Sequence, residues 1–174
     1  VGHSTGAISN SQNDGIITGY NSVGGLGGNV NGAISDSTNN GDIIGESYVG
    51  GLAGYMYGSK VEYCTNNGLI KGSDYTGGLL GYVYNTIDII ASENKVDVFG
   101  ANWTGGYVGY LRTTATIRGS INNNAITGKA IVGGIIGGGD STTLIDCENY
   151  GTITASGMYI ESSTAYSYIG GLAG

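Results

Sequence analysis

The segment Val-Gly-Gly-Leu-Ala-Gly-Tyr at residues 49–55, followed by Cys-Thr-Asn-Asn-Gly-Leu-Ile-Lys-Gly at residues 64–72, recurs in altered form along the whole chain. Its glycine pair begins at six positions that are 26, 27, 28, 28 and 37 residues apart: Gly24, Gly50, Gly77, Gly105, Gly133 and Gly170. A nearly constant period of this length is typical of repeat architectures. The spacing therefore predicts a stack of six coils of about 27 residues each.

A second signature, centred on an asparagine, precedes each glycine pair: Asn13, Asn39, Asn66, Asn94, Asn122 and Asn149. In every repeat a Ser or Cys lies two residues before this asparagine and an aliphatic residue lies four residues after it. Alternate residues of a strand share one face, so these positions are predicted to point inward. A buried asparagine that recurs in each coil predicts a structural ladder. Its amide could bond to its copies in adjacent coils or to backbone groups at a corner.

The composition agrees with a β-protein that has many tight turns. The chain has 36 glycines and no proline, and only 11% of its residues are charged, against about a quarter in ordinary domains. A disordered chain would carry more charge. A single coil cannot bury its own apolar face, whereas stacked coils join their faces into a continuous core. We therefore predict an all-β fold, a parallel β-solenoid (β-helix) that takes residues 1–174 as one domain. The crossover preference of parallel strands favours a right-handed coil.

The two quoted segments resemble the GLUG-motif repeat, and matching segments cover essentially the whole chain. Such repeats occur in bacterial secreted and cell-surface proteins, including adhesin-like proteins and non-catalytic regions of immunoglobulin A1 metallopeptidases. The resemblance implies an extracellular accessory region, and it transfers no catalytic residue. This chain departs mildly from the motif: Val96 and Asn124 replace the glycine after the ladder asparagine, and Tyr107 replaces the leucine after the glycine pair.

Two features interrupt the repeat. An insertion at about residues 156–165 lengthens the sixth repeat, and insertions in solenoids are expected to form surface loops, often on the binding face. The sequence also begins and closes within the glycine signature. We therefore expect a piece of a longer repeat array, or coil ends that are covered by neighbouring repeats or by copies of the same chain.

Aromatic residues recur at equivalent positions and are the candidate ligand-binding residues. One set lies near the start of the glycine signature: Tyr48, Tyr75, Trp103 and Tyr168. A second set lies just after it, with a further pair two residues on: Tyr55, Tyr82, Tyr110, and then Tyr57 and Tyr84. Stacked coils would align these side chains into columns. Such columns could bind a glycan or a protein, or could simply stabilise the sheet.

Other chemistry finds little support. A net charge of −7 without a basic stripe argues against nucleic acid, and no apolar run is long enough to span a bilayer. The single histidine, His3, makes a catalytic triad or a histidine-based metal site improbable, and no cofactor motif is present. Acidic residues cluster in two regions, which we interpret as solvated faces: Asp140, Asp146 and Glu148, and Glu93 and Asp97. We expect no enzymatic activity.

Cys64 and Cys147 occupy equivalent positions three repeats apart. At one rung per about 4.8 Å they would lie roughly 14 Å apart, too far for a disulfide. We therefore predict two free thiols that point inward.

Three functions follow as hypotheses. The first is a structural or adhesive stalk or spacer in a bacterial extracellular surface protein. The second is a subunit that assembles end to end into an extracellular filament through its parallel edges. The third is a β-helix that binds carbohydrate through its aromatic columns.

Overall fold

The computed structural model describes residues 1–161 and 164–174. The first half of this part contains strands β1 (His3–Ser4), β2 (Ile8–Ser9), β3 (Gln12–Asn13), β4 (Ile17–Thr18), β5 (Asn21–Gly24), β6 (Gly27–Val30), β7 (Ile34–Ser35), β8 (Thr38–Asn39), β9 (Ile43–Ile44), β10 (Ser47–Gly50), β11 (Ala53–Met56), β12 (Ser59–Glu62), β13 (Thr65–Asn66), β14 (Ile70–Lys71), β15 (Asp74–Gly77) and β16 (Leu80–Val83). The second half contains β17 (Ile87–Ile90), β18 (Glu93–Asn94), β19 (Val98–Phe99), β20 (Thr104–Gly105), β21 (Val108–Arg118), β22 (Ile121–Asn122), β23 (Ile126–Gly128), β24 (Ile131–Gly133), β25 (Ile136–Ile145), β26 (Glu148–Asn149), β27 (Ile153–Ala155), β28 (Tyr159–Glu161), β29 (Thr164–Tyr166) and β30 (Tyr168–Gly170).

Most of these strands pair in parallel with their equivalents in the neighbouring coils. Val49 pairs with Val23 on one side and with Thr76 on the other, which are the spacings of 26 and 27 residues read from the sequence. The described residues form strands and no helix, and the result is a parallel β-solenoid of about six turns. The predicted fold class is therefore confirmed. No helix in the described part of the chain is long and apolar enough to cross a membrane.

Each coil contributes short strands to five ladders, numbered here in chain order. The coils are numbered 1 to 6 by the ladder asparagine that each contains. Ladder 1 begins with β2, ladder 2 with β3, ladder 3 with β4, ladder 4 with β5, and ladder 5 with β1 and β6. The long strand β21 joins ladders 5 and 1 in one sheet.

Sharp corners separate the ladders. Between ladders 1 and 2, one residue in every coil has a positive φ of 44–59°: Asn10, Asp36, Tyr63, Ala91, Gly119 and Asp146. Asparagine, aspartate and glycine adopt this left-handed conformation most readily, whereas Tyr63 and Ala91 adopt it at a cost. The same backbone turn thus recurs in each coil, although the residue type does not.

The interior consists of two apolar clusters. The larger contains the residues after the glycine pairs and those of ladders 1 and 5, for example Leu52, Leu79 and Ile89. The smaller contains the residues of ladders 3 and 4: Val23, Ile43, Val49, Ile70, Val98, Ile126 and Val132. Burial of these stacked aliphatic side chains along the axis is the main stabilising term of the solenoid.

The second glycine of the first five pairs is required by a close approach. A Cβ at Gly51 would overlap the side chain of Asn66 and the carbonyl oxygen of Gly78. A Cβ at Gly78 would overlap Asn94 and Gly106 in the same way. The ladder asparagine and the glycine pair therefore touch inside the coil, which explains why both signatures recur together in the sequence.

The insertion in the sixth repeat contains a short antiparallel hairpin. Strands β28 and β29 pair through Tyr159–Tyr166, Ile160–Ala165 and Glu161–Thr164. Of the predicted insertion at about 156–165, residues 162 and 163 lie outside the described residues. After the hairpin the chain rejoins ladder 4, where Ile169 pairs with Val132.

Candidate functional site

Eight aromatic side chains lie together on one face of coils 2 to 4. They are defined here as the aromatic wall: Tyr48, Tyr75 and Trp103 from the turn into ladder 4, Tyr55, Tyr82 and Tyr110 from ladder 5, and Tyr57 and Tyr84 just beyond it. Strand pairing produces the alignment, because Tyr82 pairs in register with Tyr55 in coil 2 and with Tyr110 in coil 4.

The first two sets form stacked columns. In the first, the ring centroids of Tyr48 and Tyr75 are 5.2 Å apart with planes at 17°, and those of Tyr75 and Trp103 are 4.8 Å apart at 10°. In the second, Tyr82 lies 5.2 Å from Tyr55 and 5.6 Å from Tyr110. These separations exceed the about 3.5–4.0 Å of optimal carbon–carbon contact, so the stacked rings must be offset.

The two columns meet edge to face. Tyr48 and Tyr55 have ring planes at 87°, Tyr75 and Tyr82 at 86°, and Trp103 and Tyr110 at 81°. The columns therefore form a herringbone in which each ring has a stacked and a perpendicular neighbour. Both arrangements are favoured by the ring quadrupoles, by about 0.5–1.5 kcal/mol per pair beyond area burial.

A third column ends in a cation. Tyr57 and Tyr84 stack with centroids 5.0 Å apart, and the guanidinium carbon of Arg112 lies 4.4 Å from the centroid of Tyr84. Arg112 thus takes the place of a third ring through a cation–π contact. Sequence reasoning missed Arg112, because it considered only aromatic residues at the equivalent positions.

The first column is built on strained backbone. Tyr48, Tyr75 and Trp103 have φ values of 55°, 54° and 49°. Ser22 has the same conformation in coil 1, with a φ of 52°. A positive φ is an outlier for a bulky residue and costs about 1–2 kcal/mol. The stacked and perpendicular contacts of the rings offset that cost.

Seven of the eight rings are half-buried and present only part of their surface to solvent, whereas Tyr57 is exposed. Burial raises the pKa of both Tyr55 and Tyr82. The nearby phenols raise the pKa of Tyr55 further. The phenols of Tyr55 and Tyr82 are therefore kept in their neutral form, and the guanidinium of Arg112 lies beside the wall against Tyr84.

Tyr168 does not continue the column of Tyr48, Tyr75 and Trp103. It pairs in register with Ile131, which separates its coil from Trp103. The second column also ends at coil 5, because Gly138 occupies the position of the ladder 5 tyrosines there and pairs with Tyr110. A Cβ at Gly138 would lie 2.8 Å from Cδ1 of Trp103. The wall thus spans coils 2 to 4, and Tyr168 lies outside it with half of its surface exposed.

The asparagine column lies inside the coil. Asn13 donates to Oδ1 of Asn39 at 2.7 Å, Asn39 to Asn66 at 2.8 Å, and Asn66 to Asn94 at 2.8 Å. Asn122 donates to Asn149 at 2.7 Å. Each amide also donates to the carbonyl two residues later, as Asn66 does to Gly68 at 2.9 Å. Both of the roles considered from the sequence therefore occur in the same side chain.

The remaining candidates make local contacts. Glu93 pairs with Lys95 at 3.3 Å, Oη of Tyr150 donates to Glu148 at 2.6 Å, and the amide of Ala125 donates to Asp97. His3 is exposed and pairs in register with Asn29. Among the described residues, no group of three His, Cys, Asp or Glu side chains could hold a metal ion.

Both cysteines are free thiols, as predicted. Cys64 is buried, and this burial raises the pKa of its thiol to about 11. Cys147 is only partly buried, and its sulfur lies 3.3 Å from the carbonyl oxygen of Ile117.

These features define a repeat-built parallel β-solenoid with a structural asparagine column and an external aromatic wall. Residues 45–70 match the family model of the GLUG motif, which confirms the predicted GLUG-motif repeat in this chain. GLUG motifs are associated with extracellular bacterial proteins. Comparison of the chain with curated proteins and with solved structures found no match.

Proposed function

We propose that this chain is a structural spacer or stalk segment in an extracellular surface protein of a bacterium. The observation that carries the proposal is the stacking of equivalent coils along one axis, with ladders 1, 3 and 4 paired through all six coils and the aliphatic interior running between them. Six rungs at about 4.8 Å give a length of roughly 29 Å. A solenoid of this kind extends in one dimension and resists bending, which suits a spacer.

The proposal is of a non-catalytic segment. Glu93, Glu148 and Asp97 engage a lysine, a tyrosine and a backbone amide respectively, and such contacts are those of surface stabilisation. The extracellular part of the proposal is supported by the association of the GLUG motif with extracellular bacterial proteins.

Electron microscopy and small-angle scattering over a concentration series test the spacer function. We expect single short rods whose longest dimension does not change with concentration. Uniform fibres with a regular axial repeat would overturn the spacer and favour an end-to-end filament. Protease treatment of intact source bacteria, followed by mass spectrometry of the released peptides, tests the location. We expect the protease to release peptides of this chain from intact cells. Release of these peptides only after the cells lyse would refute a surface position.

We propose as a second function that the aromatic wall binds an extracellular glycan. Strained backbone at Tyr48, Tyr75 and Trp103 favours this reading, because bulky residues are held there against their conformational preference. The wall consists of seven tyrosines and one tryptophan and lies beside Arg112, and Tyr, Trp and Arg are the residue types enriched at binding hot spots.

A glycan array tests this second function. We expect at least one glycan to bind the native chain, and we expect the double variant Tyr48→Ala/Tyr75→Ala to lose that binding. The matched control is Tyr20→Ala/Tyr63→Ala, which removes two tyrosines that are 71% and 60% exposed and lie outside the wall. Absence of binding to the whole array, or equal loss in both double variants, would contradict glycan binding by the wall.

A further inference from the structure

The three departures from the repeat motif meet at one place in the structure. Val96 lies at the end of ladder 2 in coil 4, Asn124 lies at the same place in coil 5, and Tyr107 lies between the two coils. At this boundary ladder 2 is divided, because β3, β8, β13 and β18 form one sheet and β22 and β26 form another. We define this boundary of ladder 2, between coils 4 and 5, as the seam.

The hydroxyl of Tyr107 occupies the position of a ladder hydrogen bond. At other boundaries the amide that follows the Ser or Cys donates to the coil before it, as Thr65 does to Ser37 at 3.0 Å and Glu93 to Cys64 at 2.8 Å. At the seam the equivalent amide, Ile121, donates to Oη of Tyr107 at 3.1 Å instead. The same hydroxyl donates to the carbonyl of Ile121 at 3.0 Å.

The hydroxyl of Tyr107 is buried and both donates and accepts a hydrogen bond. Tyr107 is fully buried, and burial raises its pKa to about 12 against the opposing effect of hydrogen bonds with Ile121, Ser120 and Asn94. The hydroxyl therefore takes the place of the coil 4 carbonyl that would otherwise accept from the amide of Ile121.

Asn124 spans the same gap from the other side. At other boundaries the carbonyl of the ladder asparagine accepts from the backbone of the next coil, as Asn66 does from the amide of Lys95 at 2.9 Å. At the seam the side chain of Asn124 donates to the carbonyl of Asn94 at 2.8 Å. A hydrogen bond from the side chain of Asn124 thus replaces the second backbone hydrogen bond that ladder 2 makes at the other boundaries.

Inside the coil, the gap at the seam is confined to the ladder asparagine. A Cβ at Gly78 would overlap Asn94, whereas a Cβ at Gly106 would lie 3.1 Å from Cγ of Asn122, although it would still overlap the carbonyl oxygen of Gly134. Outside, a cavity of about 290 Å³ opens at the seam, lined by Ser92, Glu93, Tyr107, Ile121 and their neighbours. Ladders 1, 3, 4 and 5 remain paired across this boundary, so the change is local to ladder 2.

We infer that the seam is a weak boundary of the solenoid, at which ladder 2 opens more readily than it does at the boundaries between coils 1 and 4. The stability of a solenoid is close to a sum of coil terms and nearest-neighbour interface terms, so a boundary that lacks the direct backbone hydrogen bonds of ladder 2 is less stable than one that has them. The inference is independent of the spacer function. In a spacer, the seam would act as a defined yield point under tension.

Hydrogen exchange with residue resolution tests the inference on the intact chain. The amides of Ile121 and Asn122 should exchange roughly tenfold faster than those of Thr65 and Asn66, which lie at the equivalent places of an unbroken boundary. Tyr107→Leu restores the residue of coils 1 to 3 and lets Ile121 approach Ser92. This variant should slow exchange at Ile121 to the rate of Thr65.

Tyr107→Phe provides the second arm, because it keeps the ring between the coils and removes only the bridging hydroxyl. Its Ile121 amide should exchange faster than in the native chain, by roughly tenfold. The inference is overturned if the native seam amides exchange as slowly as those of Thr65 and Asn66. It is also overturned if a folded Tyr107→Leu leaves the rate at Ile121 unchanged. Tyr107→Phe and the native comparison decide the matter even if Tyr107→Leu does not fold.

Discussion

Replacing Asn66 by alanine should destabilise the solenoid far more than the same change at the end of the asparagine column. The side chain of Asn66 is fully buried. It donates to Oδ1 of Asn94 at 2.8 Å and to the carbonyl of Gly68 at 2.9 Å, and it accepts from Nδ2 of Asn39 at 2.8 Å. Asn66→Ala therefore leaves two acceptors and one donor without these short contacts, and it also removes the longer hydrogen bond of 3.4 Å that the amide of Gly68 donates to Oδ1.

The magnitude follows from these three groups. Each buried polar group that loses its partner costs about 1–3 kcal/mol. A water molecule that enters the vacated space would restore part of this loss, so we expect a total of about 3–5 kcal/mol. For a chain of this size that corresponds to a fall in Tm of roughly 6–20 °C.

The matched control is Asn149→Ala, which makes the same chemical change at a half-buried position. Asn149 accepts from Asn122 at 2.7 Å and donates to Gly151 at 3.1 Å, so only one contact within the column is lost. Water can reach this position, and we expect a cost of about 1 kcal/mol.

Equilibrium unfolding in urea, followed by circular dichroism and tyrosine fluorescence, measures both variants against the native chain. The expected result is a midpoint for Asn66→Ala that lies well below that of Asn149→Ala. Equal shifts for the two variants, or a cost below about 1 kcal/mol at Asn66, would show that the column is not a buried network and would refute the reasoning.

Three further predictions concern glycine, thiol and phenol groups. Gly51→Ala would place a Cβ against Gly78 and Asn66 and should cost about 1–3 kcal/mol in urea unfolding, whereas Gly6→Ala, which has nothing within 4 Å of its Cβ, should be nearly neutral. A thiol reagent should label Cys147 at least roughly tenfold faster than the buried Cys64, as mass spectrometry of the labelled peptides would show, and equal rates would contradict the burial of Cys64. Because the pKa of Tyr107 is raised to about 12 in the folded chain, the folded state retains a proton that the unfolded chain loses at high pH. Stability should therefore be complete below the ordinary tyrosine pKa and fall as the pH rises towards 12, and the unfolding midpoint of Tyr107→Phe should fall less over that range.

The coil boundaries and the inward positions could be predicted from the sequence because the repeat is one-dimensional. Residues separated by one period are neighbours along the axis, so the recurrence of Asn39 and Asn66, or of Tyr55 and Tyr82, already implies contact between them. Only the structure shows why the glycine pairs recur, because the ladder asparagine of the next coil lies against the second glycine.

Contacts between ladders could not be predicted in the same way. The perpendicular packing of Tyr48 against Tyr55 depends on how two corners of one coil are oriented, and the repeat period carries no information about that angle. The left-handed backbone at Tyr48 and Ala91 was likewise hidden, because neither residue type signals it. Tyr168 illustrates the limit, since it occupies the equivalent sequence position but lies beyond Ile131.

What the sequence by itself determined is the one-dimensional order of the protein: the parallel stack, its period, its buried asparagines and its aliphatic interior. Only the tertiary structure shows where the three departures from the repeat motif lie relative to one another. Val96, Tyr107 and Asn124 are scattered along the chain, and each looks like a mild substitution on its own. Tyr107 and Asn124 act at the same boundary because the phenol of Tyr107 reaches Ile121 and the side-chain amide of Asn124 reaches the carbonyl of Asn94.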